Sequence, residues 1–318
     1  MRIVESTGRE DIATVYIADV GDGRLVEFVE SVQPPVPREK KWVLIISVLF
    51  GCPVGCPICD AGQQYQGKLS KEQLFDQIDF AVRRRFDDGA IPVEKFKIQF
   101  ARMGEPAFNP AVIDVIEEVP SRYDVPGFLP SVSTVAPRGC DAFFERLLTL
   151  KRERYGRGRF QLQFSIHSTD PDVRDRLIPI DKWSFAEIAA YGDRFFEPED
   201  RKITLNFALA EGTPIEADAL REHFDPGRYL VKVTPVNPTY RAAASGLTSY
   251  VDAHDPAKEY DALKALEAAG YEVILSIGET EENHIGSNCG QYVSRHLRTT
   301  ASGETPAHDG YTYWKHEG

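Results

Sequence analysis

Apolar and polar residues alternate in two short stretches near the start of the chain, 13–18 and 25–32, with Gly21-Asp22-Gly23 between them. That pattern predicts a β-hairpin. Pro34-Pro35 and Pro37 mark a linker, and the stretch from Trp42 to Leu49 that follows is apolar apart from Ser47. So continuous a run reads as a buried strand of a parallel sheet. Further strands are expected at 96–101, 131–134, 161–166, 203–209, 229–234 and 271–277. Between them, Ser70-Lys71-Glu72-Gln73 is a capping box opening a helix that places Leu74, Ile78, Ala81 and Val82 on one face, with Gly89 as its stop. Other helical patterns lie near 142–152, 185–196 (Ser184 with Glu187 as its cap), 217–224 and 257–269. Strand-then-helix order repeated in this way predicts an α/β protein with a mostly parallel sheet, open or curled into a partial barrel. The last twenty residues are polar and read as a loosely ordered tail.

Charge and composition narrow the function. With 37 Lys and Arg against 49 Asp and Glu, the net charge of −12 repels a polyphosphate backbone at long range. A large RNA is therefore disfavoured as substrate, and the basic runs Arg83-Arg84-Arg85 and 152–159 read as solvated faces. No run of eighteen apolar residues suggests a membrane span. No signal-like apolar segment precedes the first cysteine, so reduced thiols and a cytoplasmic location are expected.

Reduced thiols matter because three of the five cysteines, Cys52, Cys56 and Cys59, form the spacing C-x3-C-x2-C. Thiolates are the usual ligands of a four-iron cluster, and three of them leave one iron open. A structural zinc site needs a fourth ligand at a matching spacing, and no second C-x2-C or H-x3-H follows. The loop stands just after a predicted parallel strand, where α/β barrels place their active sites. Other strand ends carry Met103-Gly104-Glu105-Pro106, Ser133, Ser165-Ile166-His167 and Asn237-Pro238. Gly104 lets a ligand approach the backbone, Glu105 offers a carboxylate to an ammonium group, and the serines and Asn237 offer hydroxyl and amide groups. Taken singly, such serines are ordinary turn residues and a lone histidine is ordinarily structural.

In order along the chain, the cysteine motif, Met103-Gly104-Glu105-Pro106, Val132-Ser133-Thr134, Phe164-Ser165-Ile166-His167, Arg174-Asp175 with Ile178-Pro179-Ile180, Pro235-Val236-Asn237-Pro238 and Asn288-Cys289-Gly290-Gln291 resemble the RlmN/Cfr group. These are radical S-adenosylmethionine (SAM) enzymes that methylate adenosine in RNA. The resemblance covers residues 12 to 294. It implies a radical SAM partial (β/α)6 TIM-like barrel with an N-terminal β-hairpin extension. The boundaries expected are 1–40 for the extension, 41–294 for the barrel with its catalytic-cysteine loop, and 295–318 for the tail. It implies a [4Fe-4S] cluster on Cys52, Cys56 and Cys59, and SAM contacts at Gly104, Glu105, Ser133, Ser165, Ile166, His167 and Asn237. Cys289 matches the cysteine that becomes S-methylated, and Glu27 the proton acceptor. The mechanism implied is methylation of Cys289 by one SAM, then removal of a hydrogen from that methyl by the radical made from a second. The sulfur-bound carbon adds to an sp2 carbon of the substrate. A small one-electron donor such as flavodoxin or ferredoxin is implied as partner.

Two positions depart from the group. Its other cysteine, which resolves the enzyme–substrate adduct by thiol exchange, is replaced by Ile45, which has no thiol to exchange. Cys140 offers a thiol that could substitute for it, but is read first as a small residue opening a helix. The group's helical RNA-binding segment is not matched ahead of the hairpin. The substrate expected is therefore a small molecule, a nucleoside-like compound or a peptide. Two alternatives stand beside it: direct use of the radical on the substrate for rearrangement, oxidation or C–S bond formation, and RNA methylation.

Overall fold

The computed structural model describes residues 1–32, 35–62, 65–252, 255, 258–277 and 291–302. Its Cα packing divides the chain into two compact units. Met1–Gly55, Cys59–Pro130 and the described part of Glu279–Gly318 form the first, and Cys56–Ile58 with the described part of Ser131–Gly278 form the second. No helix among the described residues is long and apolar enough to cross a membrane.

The first unit opens with three antiparallel strands, β1 (Arg2–Arg9), β2 (Ala13–Asp19) and β3 (Leu25–Ser31). The expected hairpin is β2–β3, and β1 adds a strand the pattern did not suggest. Seven of its eight residues are at least partly exposed, leaving little apolar periodicity to read. Strand β4 (Trp42–Ile46) pairs antiparallel with β3, and the chain then forms a short clip, β5 (Leu49–Phe50) with β6 (Gly67–Lys68). Strand β7 (Phe96–Phe100) pairs parallel with β4 in the register Ile45↔Gln99. The helix α1 (Lys71–Arg83) starts at the predicted capping box and buries Leu74, Ile78, Ala81 and Val82. The helix α2 (Ala111–Arg122) went unforeseen because Pro120 lies inside it. Buried Val112, Ile113, Val115, Ile116 and Val119 carry it past the missing N–H.

The second unit has strands β8 (Phe128–Thr134, entering the unit at Ser131), β9 (Gln161–Ser165), β10 (Ile203–Leu209), β11 (Tyr229–Pro235) and β12 (Glu272–Leu275), each parallel to the next. Its helices are α3 (Asp141–Arg154), α4 (Pro171–Leu177), α5 (Phe185–Phe195), α6 (Ala217–Arg221), α7 (Tyr240–Ala244) and α8 (Asp261–Ala268). An aromatic core of Phe144, Trp183, Tyr191 and Phe195 lies among α3, α5 and the intervening loop, with Phe144 and Trp183 centroids 4.2 Å apart. In chain order β4, β7, β8, β9, β10 and β11 are each followed by at least one helix, the order a (β/α)6 chain requires. Last comes α9 (Gln291–Ser302), which runs on into the residues 295–318 read as a polar tail. Its buried Tyr292 and Val293 join the core of the first unit.

Candidate functional site

The cysteine loop leaves the end of β4, and the first unit fixes its base with backbone and amide hydrogen bonds. Val48 and Leu49 both donate their N–H to the Met103 carbonyl, at 2.8 and 3.0 Å. From the turn after Glu105, buried Asn109 donates Nδ2 to the carbonyls of Val48 (2.8 Å) and Leu69 (2.9 Å), while its Oδ1 accepts from Ala111 N–H. Gln77 of α1 matches both backbone groups of Ser47, accepting its N–H at 2.9 Å and donating to its carbonyl at 3.0 Å. Sequence reasoning missed both residues. Gln77 had a signal, since it is the polar exception on a helix face otherwise formed by Leu74, Ile78 and Ala81.

Within this unit Cys52 and Cys59 pack, partly buried, on a hydrophobic cluster that includes Ala61, Met103, Tyr292 and Val293. Gly62 closes on Gly55 so tightly that a Cβ on it would stand 3.0 Å from the Gly55 Cα. The loop is thus wrapped by bare backbone, as a cradle for a bulky inorganic group requires. Burial pushes the Cys52 thiol up to about 11, with the Glu105 carboxylate adding to the rise. A bound metal would reverse that shift by stabilising the thiolate. Among the described residues no group of three His, Cys, Asp or Glu side chains could hold a single metal ion. In a four-iron cluster each thiolate binds its own iron, so the ligands of such a cluster need not converge on one point. Gly104, at φ +101°, lies against Leu49, whose Cβ would be 2.5 Å from a Cβ on Gly104, so no side chain is admitted there. Glu105 is buried and its Oε1 accepts from Ala107 N–H at 3.0 Å.

Glu27 is fully buried on β3. Its Oε2 accepts the N–H groups of Tyr292 (2.9 Å) and Val293 (3.0 Å), in the first turn of α9. Its Oε1 stands 2.7 Å from Nε of Arg102, which is also buried. The two side chains form a buried ion pair. The carboxylate therefore anchors the helix that begins two positions after Cys289. Cys289 itself lies outside the described residues. Ile45, in the position of the group's second cysteine, packs against the same cluster as Tyr292 and Val293. Cys140 occupies the N-cap position of α3, as its sequence context suggested.

In the second unit the parallel register places Ser133 beside Gln163 and Ser165 beside Asn206, both at or one residue before the C-terminal ends of their strands. Asn237 follows the end of β11 by two residues, and its carbonyl accepts from Thr239 N–H at 2.7 Å. Thr239, unforeseen, caps α7 and donates its hydroxyl to the Ile58 carbonyl, holding Cys56–Ile58 to this unit. Ile166 is fully buried, and His167 nearly so. His167 has φ +64°, and its Nδ1 accepts Ala208 N–H at 3.0 Å. Burial, aided by the Arg174 charge, lowers its pKa to about 4. The ring is thus neutral, with the proton on Nε2.

The basic runs are engaged within the protein. Arg84 and Arg85 pair with Glu10, and Arg85 also with Glu30. Arg152 donates to the Arg194 carbonyl, Arg157 pairs with Glu199, and Arg159 donates to the Gly156 carbonyl.

No protein-family model matches the chain. It is 28% identical over 281 residues to the probable dual-specificity RNA methyltransferase RlmN of Parafrankia sp. (strain EAN1pec), covering 83% of this chain and 68% of that one. It is 27% identical over 286 residues to the protein of the same description from Acidothermus cellulolyticus (strain ATCC 43068 / DSM 8971 / 11B), covering 85% and 62%. The chain thus spans about two thirds of the length of these relatives. A crystal structure of a radical SAM methyltransferase from Sphaerobacter thermophilus has the same fold, with a TM-score of 0.71 at 22% identity over 91% of this chain and 80% of that chain. In sequence the chain is thus similar to proteins described as RlmN methyltransferases, and in fold to a radical SAM methyltransferase.

Proposed function

We propose that the protein is a radical SAM enzyme of RlmN type. It transfers a SAM-derived carbon through S-methylated Cys289 to an sp2 carbon of a non-ribosomal substrate: a small molecule, a nucleoside-like compound or a peptide. The observation that carries this reading is the shared packing of Cys52, Cys59, Tyr292 and Val293 on one cluster. It ties the thiolate loop to the helix that starts two residues after Cys289.

Cys52, Cys56 and Cys59 would hold a four-iron cluster by their thiolates. When bound and reduced by a donor such as flavodoxin or ferredoxin, that cluster would supply one-electron chemistry to SAM. Glu105 would receive the SAM ammonium beside the bare backbone of Gly104. Ser133, Ser165, Ile166, His167 and Asn237 would contribute the remaining contacts, with neutral His167 presenting at most its Nε2–H. Cys289 would accept the methyl group and present it as a thioether. Glu27 would accept the proton lost as the product's carbon centre is restored. Its Oε2 is held by the N–H groups of Tyr292 and Val293 and its Oε1 faces Arg102, so proton uptake would change at least one of these contacts.

Two observations bear on substrate and outcome. The internal pairing of Arg84, Arg85 and Arg157, with the net charge of −12, supports a substrate other than a long phosphate backbone. The packing of Ile45 against the cluster favours a second reading, in which the radical acts directly on the substrate and no thiol exchange is needed. Anaerobic incubation with SAM deuterated in its methyl group separates the two. Deuterium in the 5′-deoxyadenosine product, lost in Cys289→Ala, supports the methyl-carrier reading. Unlabelled 5′-deoxyadenosine, formed equally by Cys289→Ala, refutes it.

A further inference from the structure

Beside α4 in the second unit is a cavity of about 560 Å³ whose walls include Arg138, Arg174, Asp175, Lys182 and Phe185. Its size falls in the range of small-molecule pockets, roughly 300–1,000 Å³. The three cations on its walls are not equivalent. Arg138 is met by Asp181 at 3.0 Å and, through both Nη atoms, by Glu187 at 2.6 and 2.7 Å. Lys182 is met by Asp175 at 2.5 Å and donates to the carbonyls of Ile178 and Ile180.

Arg174 has no such match. It is 5% exposed, donates Nη1 to the Trp183 carbonyl at 2.8 Å, and lies over the Phe185 ring at 5.1 Å. Among the described residues its Nε and Nη2 are buried without an acceptor and no carboxylate forms an ion pair with it. By contrast Lys151, fully buried in the same unit, is paired with Glu197 and Asp200 and donates to the Phe195 carbonyl. Burial lowers the Arg174 pKa to about 10, partly offset by Asp175, so it is charged at neutral pH. Nε and one Nη form an edge of the guanidinium fork, spaced for two parallel hydrogen bonds to one carboxylate or phosphate. A buried cation and two buried donors without acceptors call for an anion.

We propose that Arg174 anchors an oxoanion subsite in this cavity, its Nε and Nη2 taking two oxygens of a phosphoryl or carboxylate group on a bound small molecule. Asp175 and Asp181 are occupied by Lys182 and Arg138, which leaves the guanidinium as the unmatched charge. Phe185, Pro171 and Pro179 offer apolar wall to the organic remainder. Because both donor atoms are buried, binding requires the side chains over them to shift. This subsite stands whether or not Cys289 carries a methyl group.

The test is thermal denaturation of the full chain in increasing inorganic phosphate, with acetate in a parallel arm and chloride at matched ionic strength as control. Wild type, Arg174→Met and Arg174→Lys are compared. Wild type is expected to show saturable stabilisation by at least one oxoanion beyond the chloride control. Arg174→Met should lose it. Arg174→Lys, which keeps the charge but not the fork, should bind about tenfold more weakly or worse. A response to phosphate alone assigns a phosphoryl ligand, a response to acetate alone a carboxylate, and a response to both the oxoanion chemistry they share. No response in wild type beyond chloride, or an equal response in Arg174→Met, overturns the proposal. If Arg174→Met does not fold, equilibrium dialysis of labelled phosphate or acetate against wild type and Arg174→Lys decides, and undiminished binding by Arg174→Lys overturns it.

Discussion

Replacing Glu27 by alanine removes one side chain and disturbs three contacts: the ion pair with Arg102 and the two hydrogen bonds from the first turn of α9. Breaking a buried pair from one side costs about 3–5 kcal/mol, because the remaining charge is left uncompensated. Each backbone N–H stranded in the interior would add about 1–3 kcal/mol. These terms do not simply add, since α9 can detach and expose its N–H groups to water. The expected loss is therefore about 4 kcal/mol, a large share of the 5–15 kcal/mol typical of a folded protein. Denaturant unfolding at unchanged slope measures it, and hydrogen exchange at Tyr292 and Val293 locates it. Arg102→Met alone strands the carboxylate, whereas Glu27→Ala with Arg102→Met removes both charges. The double variant should be less destabilised than the two single losses summed, with a coupling of about 2 kcal/mol or more. A loss below about 1 kcal/mol in Glu27→Ala, with unchanged exchange at those two amides, would refute the anchoring role.

Other outcomes follow from the same contacts. His167 takes up a proton at about 4 when folded against 6.5 when free. The unfolded state therefore binds more protons between those values, and stability should fall by about 3 kcal/mol as pH drops from 6.5 to 4. Asparagine at 167 keeps an acceptor and tolerates positive φ, so His167→Asn should flatten that dependence in acid titrations followed by circular dichroism; an unchanged profile would count against it. Asn109→Ala deletes three buried hydrogen bonds and should cost about 2–4 kcal/mol, read as a lower urea midpoint, with an unshifted midpoint as the contrary result.

Much of this architecture can be read from apolar spacing. Strands β2, β3, β7, β10 and β11 and helices α1 and α5 lie within a residue or two of where hydrophobic periodicity and capping boxes put them, apart from the end of α1, because burial on one face leaves a repeat in the sequence. Helix α2 hid behind Pro120, and β1 behind its exposed pattern. Helix α4, capped by Asp170 and starting at Pro171, makes only about two turns, too short to show a repeat. The C-x3-C-x2-C motif and the strand-end positions stand out in the sequence because their spacing is local. The partners of Glu27 do not. Arg102 lies 75 positions away along the chain and the α9 amides more than 260, and nothing in the neighbourhood of any of them marks the contact. Arg174 was visible as part of a motif, but its missing acceptors emerge only when every neighbour of its guanidinium is placed.

Mass spectrometry of the peptide containing Cys289, from protein purified with its cluster intact and again after anaerobic incubation with SAM, tests the methyl-carrier reading most directly. One added methylene on Cys289, absent when any of Cys52, Cys56 or Cys59 is replaced by alanine, is the result expected if the sulfur is loaded at the radical SAM site. An unmodified thiol in protein that nevertheless converts SAM to 5′-deoxyadenosine would contradict it.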